Sequence, residues 1–435
     1  MKIQLYIIAF IFIPLAGIAQ KQTNNKLTET EQRILEQVAA YDKESIDFLE
    51  KVVNINSGTL NLEGVKEVGD VFQEAFDALG FSTEWITMPS EMNRAGHLFA
   101  RRKGNQGKKL LLIGHLDTVF EKDSPFQRFV RQDSIAFGPG ANDMKGGNVV
   151  ILYALKALHD LNLLDNSTIT VGFTGDEERT GKPLSISRKA LIDAAKESDI
   201  ALGFENATGF NNATIARRGA SGWKVETAGR RAHSSGVFGE KTGAGAIFEM
   251  SRILYQFYTQ VRGETYLTFN PGNLLGGTFV DYDPAKSRGS AFGKTNVVAQ
   301  TAIVHGGLRF ISEQQKEAAR LKMQAIVEKH LPSTQATITF TDSYPAMQPS
   351  EGNKLLLEKL SKVSQDIGYG AVQGYDPGKR GAADVSFVAQ YVDALDGLGT
   401  MGTGAHTPQE TVDLRTINPL IQRTALFIYR LIQEN

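Results

Sequence analysis

The run Leu110-Leu111-Leu112-Ile113-Gly114-His115-Leu116-Asp117 holds four apolar residues, a glycine, and then a histidine and an aspartate two apart. A short continuous apolar run is the mark of a strand buried on both faces. Such a strand, leaving the core at Gly114, delivers an imidazole to the sheet edge. Alternate strand residues point the same way, so Asp117 can hold the imidazole's second N–H. A plain surface turn is the alternative for these two residues taken alone. Three further runs share this build: Leu98 to Arg101, Ile169 to Phe173 and Ile200 to Phe204. Helical spacing falls between them, at Lys145 to Leu158 and Ser185 to Ala195. It also covers Glu29 to Val53 and Val65 to Leu79, where Gly80 stops it. The alternation predicts an α/β architecture with a largely parallel sheet, whose strand ends converge on one crevice.

After about Ile215 the pattern changes. Strands are expected at Trp223 to Thr227, Tyr266 to Phe269, Val297 to Phe310 and Ala336 to Thr341, with helices at Gly243 to Gln260 and Ser312 to Lys329. That is a compact α+β unit. The earlier style returns with helices from Asn353 to Val363, near Asp384 to Tyr391, and from Asn418. The reading is therefore a catalytic domain in two parts, 20–214 and 346–435, interrupted by an inserted α+β domain at 215–345.

At 435 residues the chain is long for one core. Its 47 basic and 48 acidic residues nearly cancel, which gives no electrostatic case for nucleic acid or an anionic membrane surface. Met1 to Ala19 has one charge at Lys2, an apolar run from Ile7 to Leu15 and small residues at Gly17 and Ala19, the pattern of a secretory signal peptide. The apolar run is shorter than the roughly 20 residues a spanning helix needs, so export without stable membrane insertion is expected. The chain has no cysteine, so any metal must be held by histidines and carboxylates.

Four more stretches carry acids or a histidine in the same kind of setting. Gly138-Pro-Gly-Ala-Asn-Asp143-Met-Lys-Gly-Gly147 puts an acid between a glycine-rich turn and a helix start, where an N-cap is the plain reading and glycine density favours a crowded site. Thr174-Gly-Asp-Glu177-Glu178 sets three adjacent carboxylates after a buried strand. That is unfavourable unless cations neutralise them or one stays protonated, and a solvated acidic turn is the alternative. Such a pair permits one glutamate to bind metal while its neighbour serves as general base. Glu205 ends the run Ile200 to Phe204, and His406 lies in Gly402-Thr-Gly-Ala-His-Thr-Pro408. His97, His159, His305 and His330 have no comparable setting. Gly175 to Pro183 imitates a phosphate loop but has five residues between its glycines and a proline where Ser or Thr belongs, and no Gly-x-Ser-x-Gly elbow is present.

These five stretches, in this order and around an insertion, resemble the M20 family of metallopeptidases, in particular its glutamate carboxypeptidase branch. The resemblance implies two zinc ions, or another divalent cation such as Co2+, with Asp143 bridging them. His115 and Glu205 would complete one metal site, and Glu178 and His406 the other. Glu177 would be the general base and Asp117 would orient His115. It further implies a homodimer in which His233, in Gly229-Arg-Arg-Ala-His-Ser234, reaches the partner's substrate. Asn296 and Arg309 would contact the scissile group and the substrate carboxylate. Substrates would be small peptides or N-acyl amino acids, with aminoacylase-like hydrolysis or a non-catalytic binding role as alternatives. One departure concerns Tyr344, before Pro345, where folate-type glutamate carboxypeptidases carry a second arginine. A phenol cannot make arginine's bidentate pair with a carboxylate, so little preference for a C-terminal glutamate is expected.

Overall fold

The computed structural model describes residues 27–284 and 286–434. The signal peptide expected at Met1–Ala19 falls outside the described residues. No helix among those described is long and apolar enough to cross a membrane.

Six strands form the main sheet, in the order Ser82–Ile86, His97–Arg102, Ser167–Thr174, Gln106–His115, Ile200–Gly203 and Asp393–Leu395. The last four are parallel neighbours, while His97–Arg102 runs against both strands beside it. Both faces of the sheet are covered. Leu110 and Leu112 join one apolar core with the helices Glu29–Ala40, Asp42–Val53, Leu62–Ala78, Lys145–Asp160 and Ile417–Ile432. Leu111 and Ile113, pointing the other way, meet Leu191, Ala201, Val385 and Met347 in a second core. That double burial is why the run is uniformly apolar instead of alternating.

The interrupting unit has its own antiparallel sheet, ordered Thr268–Gly277, Thr301–Phe310, Gly219–Gly229 and Thr334–Asp342. Helices Ala246–Gln260 and Glu313–Val327 close a separate core around Trp223, Val225, Met250, Ile253, Val304 and Met323. The fold is thus a mixed α/β catalytic sheet with an inserted α+β lid domain.

Several elements differ from expectation. The helix expected over Glu29 to Val53 is two helices meeting at Tyr41, and the one expected over Ser185 to Ala195 divides at Arg188. The strand expected at Tyr266 to Phe269 runs on to Gly277. It carries Asn270-Pro-Gly-Asn273, which reads as a turn; on this edge strand the proline withholds no needed donor, and the register shifts there by a bulge. The hairpin Phe279–Asp283 with Arg288–Phe292, and the edge strand Ser82–Ile86, were not anticipated.

Candidate metal centre

The sheet register assembles the site. His115 is level with Thr174, and Ile113 is level with Gly203. Residues at or just past the ends of three adjacent parallel strands therefore meet at one edge: His115, the Gly175–Glu178 turn, and Glu205. Asp143 arrives from the glycine turn ahead of helix Lys145–Asp160. That turn needs Gly140, at φ +73°, and the helix needs Gly147, since a Cβ there would lie 2.0 Å from the Phe204 carbonyl oxygen. His406 comes from beyond the lid domain. Its φ of +64° is a left-handed conformation that few non-glycine residues adopt, held here where the imidazole meets the acids.

Asp143 lies between two imidazoles. His115 Nε2 is 3.3 Å from Asp143 Oδ1 and 3.6 Å from Glu205 Oε1. His406 Nε2 is 3.2 Å from Asp143 Oδ2 and 3.1 Å from Glu178 Oε2. Ligand-capable atoms of His115, Asp143 and Glu178 lie within 4.8 Å of one another, and so do those of His115, Glu177 and Glu205. All five residues implied as ligands, and the implied base, are therefore brought together.

The cluster holds more negative charge than its protein surroundings balance. Burial, then the charges of Asp143 and others, pushes Glu205 up to about 8. Burial and Glu205 likewise push Glu177 well above the usual carboxylate range. Asp143 goes the other way: burial opposes its ionisation, but hydrogen bonds to His115 and His406 hold it well below. Bonded to Asp143 and Glu178, His406 is pushed up to about 11.

Supporting contacts revise two expectations. His115 Nδ1 donates mainly to the backbone carbonyl of Asp117 at 2.9 Å, with the Asp117 carboxylate at 3.5 Å. That carboxylate accepts instead from Thr59 Oγ1 (2.6 Å) and from the backbone N–H groups of Glu177 (3.0 Å) and Glu178 (3.2 Å). Asp117 thus fixes the loop carrying both glutamates as well as the imidazole. Asp176, expected to share in the crowding of three adjacent acids, turns into the protein and pairs with buried Arg188, which also binds Asp384 at 2.7 Å. His97 stays an ordinary core histidine by chemistry: Nδ1 accepts from Gly175 N–H and Nε2 donates to the Ser187 carbonyl, and burial holds its pKa down.

Glu410, which sequence reasoning missed, lies fully buried beneath the Asp143 turn. Its carboxylate accepts from the N–H groups of Gly140 (3.2 Å), Asn142 (2.9 Å) and Asp143 (3.0 Å). Nothing local in Thr407-Pro-Gln-Glu410 signals this, because the partners lie some 270 positions away.

Comparison with known proteins agrees with this architecture. Residues 111–430 match the sequence profile of peptidase family M20/M25/M40. The chain belongs to that family. It is 28% identical over 420 residues to carboxypeptidase G2 of Pseudomonas sp. (strain RS-16), covering 94% of this chain and 93% of that one. It is 25% identical to the succinyl-diaminopimelate desuccinylase of Psychrobacter sp. (strain PRwf-1), covering 88% and 94%. The fold matches the aminopeptidase PepT of Bacillus cereus ATCC 10987 with a TM-score of 0.69 at 16% identity, over 90% of this chain and 98% of that one.

Among the described residues, His233, Asn296 and Arg309 of this M20 chain make no hydrogen bond or ion pair with the acidic cluster. His233 is exposed; its Nδ1 is 2.8 Å from Ser235 Oγ. It pairs through the backbone with Val297, beside exposed Asn296, and none of its hydrogen bonds among the described residues reaches the acids. Arg309, also exposed, lines a cavity of about 300 Å³ with Arg218, Lys379 and Arg380. Tyr344 is not among the residues that line this cavity. Its hydroxyl donates to the Glu177 carbonyl at 2.9 Å and lies 2.6 Å from Thr180 Oγ1, while its ring packs on Phe387.

Proposed function

We propose that the protein is a carboxypeptidase-type M20 hydrolase, cleaving the amide bond next to a free C-terminal carboxylate with the help of two zinc ions. The observation that carries this is Asp143, whose two oxygens face His115 with Glu205 on one side and His406 with Glu178 on the other. The donor set fits divalent cations of the zinc type, which imidazole and carboxylate suit. Glu178 Oε1 is buried with no hydrogen-bond partner, and unbalanced negative charge surrounds it. His115, Asp143 and Glu205 would hold one ion, and Asp143, Glu178 and His406 the other. When bound, these ions supply electrophilic polarisation of the amide carbonyl and lower the pKa of the attacking water.

The rest falls to the chain. The Glu177 carboxylate accepts a proton from the water as the water oxygen bonds to the carbonyl carbon. It then delivers that proton to the nitrogen as the C–N bond breaks. Asp117 holds the Glu177 loop and His115 in place, and Arg309 takes the substrate carboxylate. His233 of a second subunit would donate to the carbonyl oxygen, which makes the working form a homodimer. The similarity to carboxypeptidase G2 supports the peptidase reading, and that to a desuccinylase supports N-acyl amino acids as the alternative substrates. Residues 20–214 and 346–435 would form the catalytic unit around the lid at 215–345, and the Met1–Ala19 leader would direct export.

Hydrolysis of dipeptides and N-acyl amino acids, with zinc and with chelator, tests the reading. Chelator-sensitive cleavage that vanishes when the substrate carboxylate is converted to an amide is expected. Turnover unaffected by chelator, or equal rates on the amides, would overturn it.

A further inference from the structure

The segment that carries His406 is the tip of a hairpin. Strands Gly402–Thr403 and Thr411–Asp413 pair at its base, and Thr411–Asp413 pairs in turn with Ile135–Phe137. The tip closes on itself: Thr407 N–H donates to the Gly404 carbonyl (2.9 Å), and Glu410 N–H to the Thr407 carbonyl (3.0 Å). His406, Thr407, Pro408 and Gln409 are all exposed. Among the described residues, positions 404–409 make no hydrogen bond or ion pair outside the hairpin except through the His406 imidazole. An exposed tip with a left-handed residue at the ligand position is a poor platform for a metal site, because its freedom must be given up when an ion binds.

Glu410 breaks that pattern. It ends the tip, is fully buried, and meets the turn that carries Asp143 with both its side chain and its backbone. Its carboxylate accepts from the N–H groups of Gly140, Asn142 and Asp143, and its carbonyl accepts from Gly138 N–H at 3.3 Å. Bonds from N–H groups to an ionised carboxylate are among the stronger ones a protein makes. The Asp143 turn has further supports of its own, since Ala141 N–H donates to the Gly138 carbonyl (3.1 Å) and Lys145 N–H to the Gly140 carbonyl (2.8 Å). The tip has no comparable second anchor among the described residues, so loss of Glu410 bears on His406 more than on Asp143.

We propose that Glu410 is a positioning residue, which clamps the hairpin tip to the Asp143 turn and so sets His406 opposite Asp143 and Glu178 before any ion arrives. Glu410 acts through His406. Its effect therefore falls on the ion shared by Asp143, Glu178 and His406, and spares the one shared by His115, Asp143 and Glu205. This role rests on the two-ion reading of the acidic cluster.

Two variants test it. Glu410→Ala removes the clamp outright, while Glu410→Gln keeps the side chain's size and one acceptor oxygen but sets amide donors against the N–H groups of the turn. The chelator-treated proteins are titrated with Zn2+ by calorimetry, and the bound ions are counted. Wild type is expected to take up two ions. In each variant one ion should keep its affinity and the other should weaken by roughly 10–100-fold, the usual effect of removing a group that orients a ligand. In a His406→Ala background, Glu410→Gln should change ion binding no further, because the side chain it positions is gone. Hydrogen exchange on the chelator-treated protein gives a readout without metal: exchange across 404–410 should be faster in Glu410→Gln, with strand Gln106–His115 unchanged. Equal weakening of both ions, wild-type affinity for both, or a further loss in the His406→Ala background overturns the role. So does unchanged exchange across the tip. Uptake of fewer than two ions by wild type, with faster tip exchange in the variant, would keep the clamp and count against the two-ion reading instead. Should Glu410→Ala fail to fold, Glu410→Gln decides alone.

Discussion

Glu177 and Glu178 are neighbours in sequence, yet their carboxylates have different company. Glu178 Oε2 meets His406 and its other oxygen is buried without a partner, while Glu177 stands with His115 and Glu205. Glu178→Gln should therefore weaken metal binding. Glu177→Gln should keep both ions and lose turnover by about 10²-fold or more, as for a missing general base. Asp143→Ala should disrupt both ions. Elemental analysis beside turnover checks all three, and the reverse pattern for the two glutamates would exchange their roles. Tyr344→Phe removes the bond to the Glu177 carbonyl, so kcat should fall severalfold with KM little changed; a change confined to KM would give Tyr344 a substrate role instead. His115, Asp143, Glu205 and His406 were legible because each follows an apolar strand or a glycine turn, features that local sequence displays. The tasks of Glu410 and Tyr344 were not. Each depends on one side chain meeting backbone far away in the chain, which leaves no local pattern.

The turn Gly175–Glu178 is held from behind as well as from the metal side. Arg188, in the break between two short helices, binds Asp176 and Asp384 where all three are buried, and Thr174 Oγ1 donates to Asp384 at 2.5 Å. Arg188→Met would leave two buried carboxylates unmatched. It should lower stability by about 3–5 kcal/mol, measured by urea unfolding, and unchanged stability would show that the pair is not structurally required. Elements were legible where burial imposes a simple rule, as in the twice-covered run Leu110 to Ile113. They were hidden where the rule is relaxed. Ser82–Ile86 lies at a sheet edge with polar residues, the strand through Pro271 bulges past its turn-like residues, and Arg188 splits an otherwise even helical spacing.

The whole molecule sets two folded units in one chain, and His233 and Asn296 stand exposed on the inserted one. If a partner's His233 completes each site, mixing an inactive Glu177→Gln chain with an inactive His233→Ala chain should restore about half the wild-type activity per heterodimer, because one of its two sites is intact. No recovery in heterodimers shown to form by native mass spectrometry would count against sharing. The insertion itself was legible as a change from short apolar strands to longer, alternating ones. His406 reaches Asp143 and Glu178 from beyond that insertion. Ions bound there would therefore act as a cross-link between early and late parts of the chain, adding their binding free energy to the catalytic unit alone. Removing them should lower the melting of that unit while the lid, with its own core, keeps its transition. During synthesis the site stays one ligand short until the segment carrying His406 has emerged, so tight metal capture would be among the last events in making the protein.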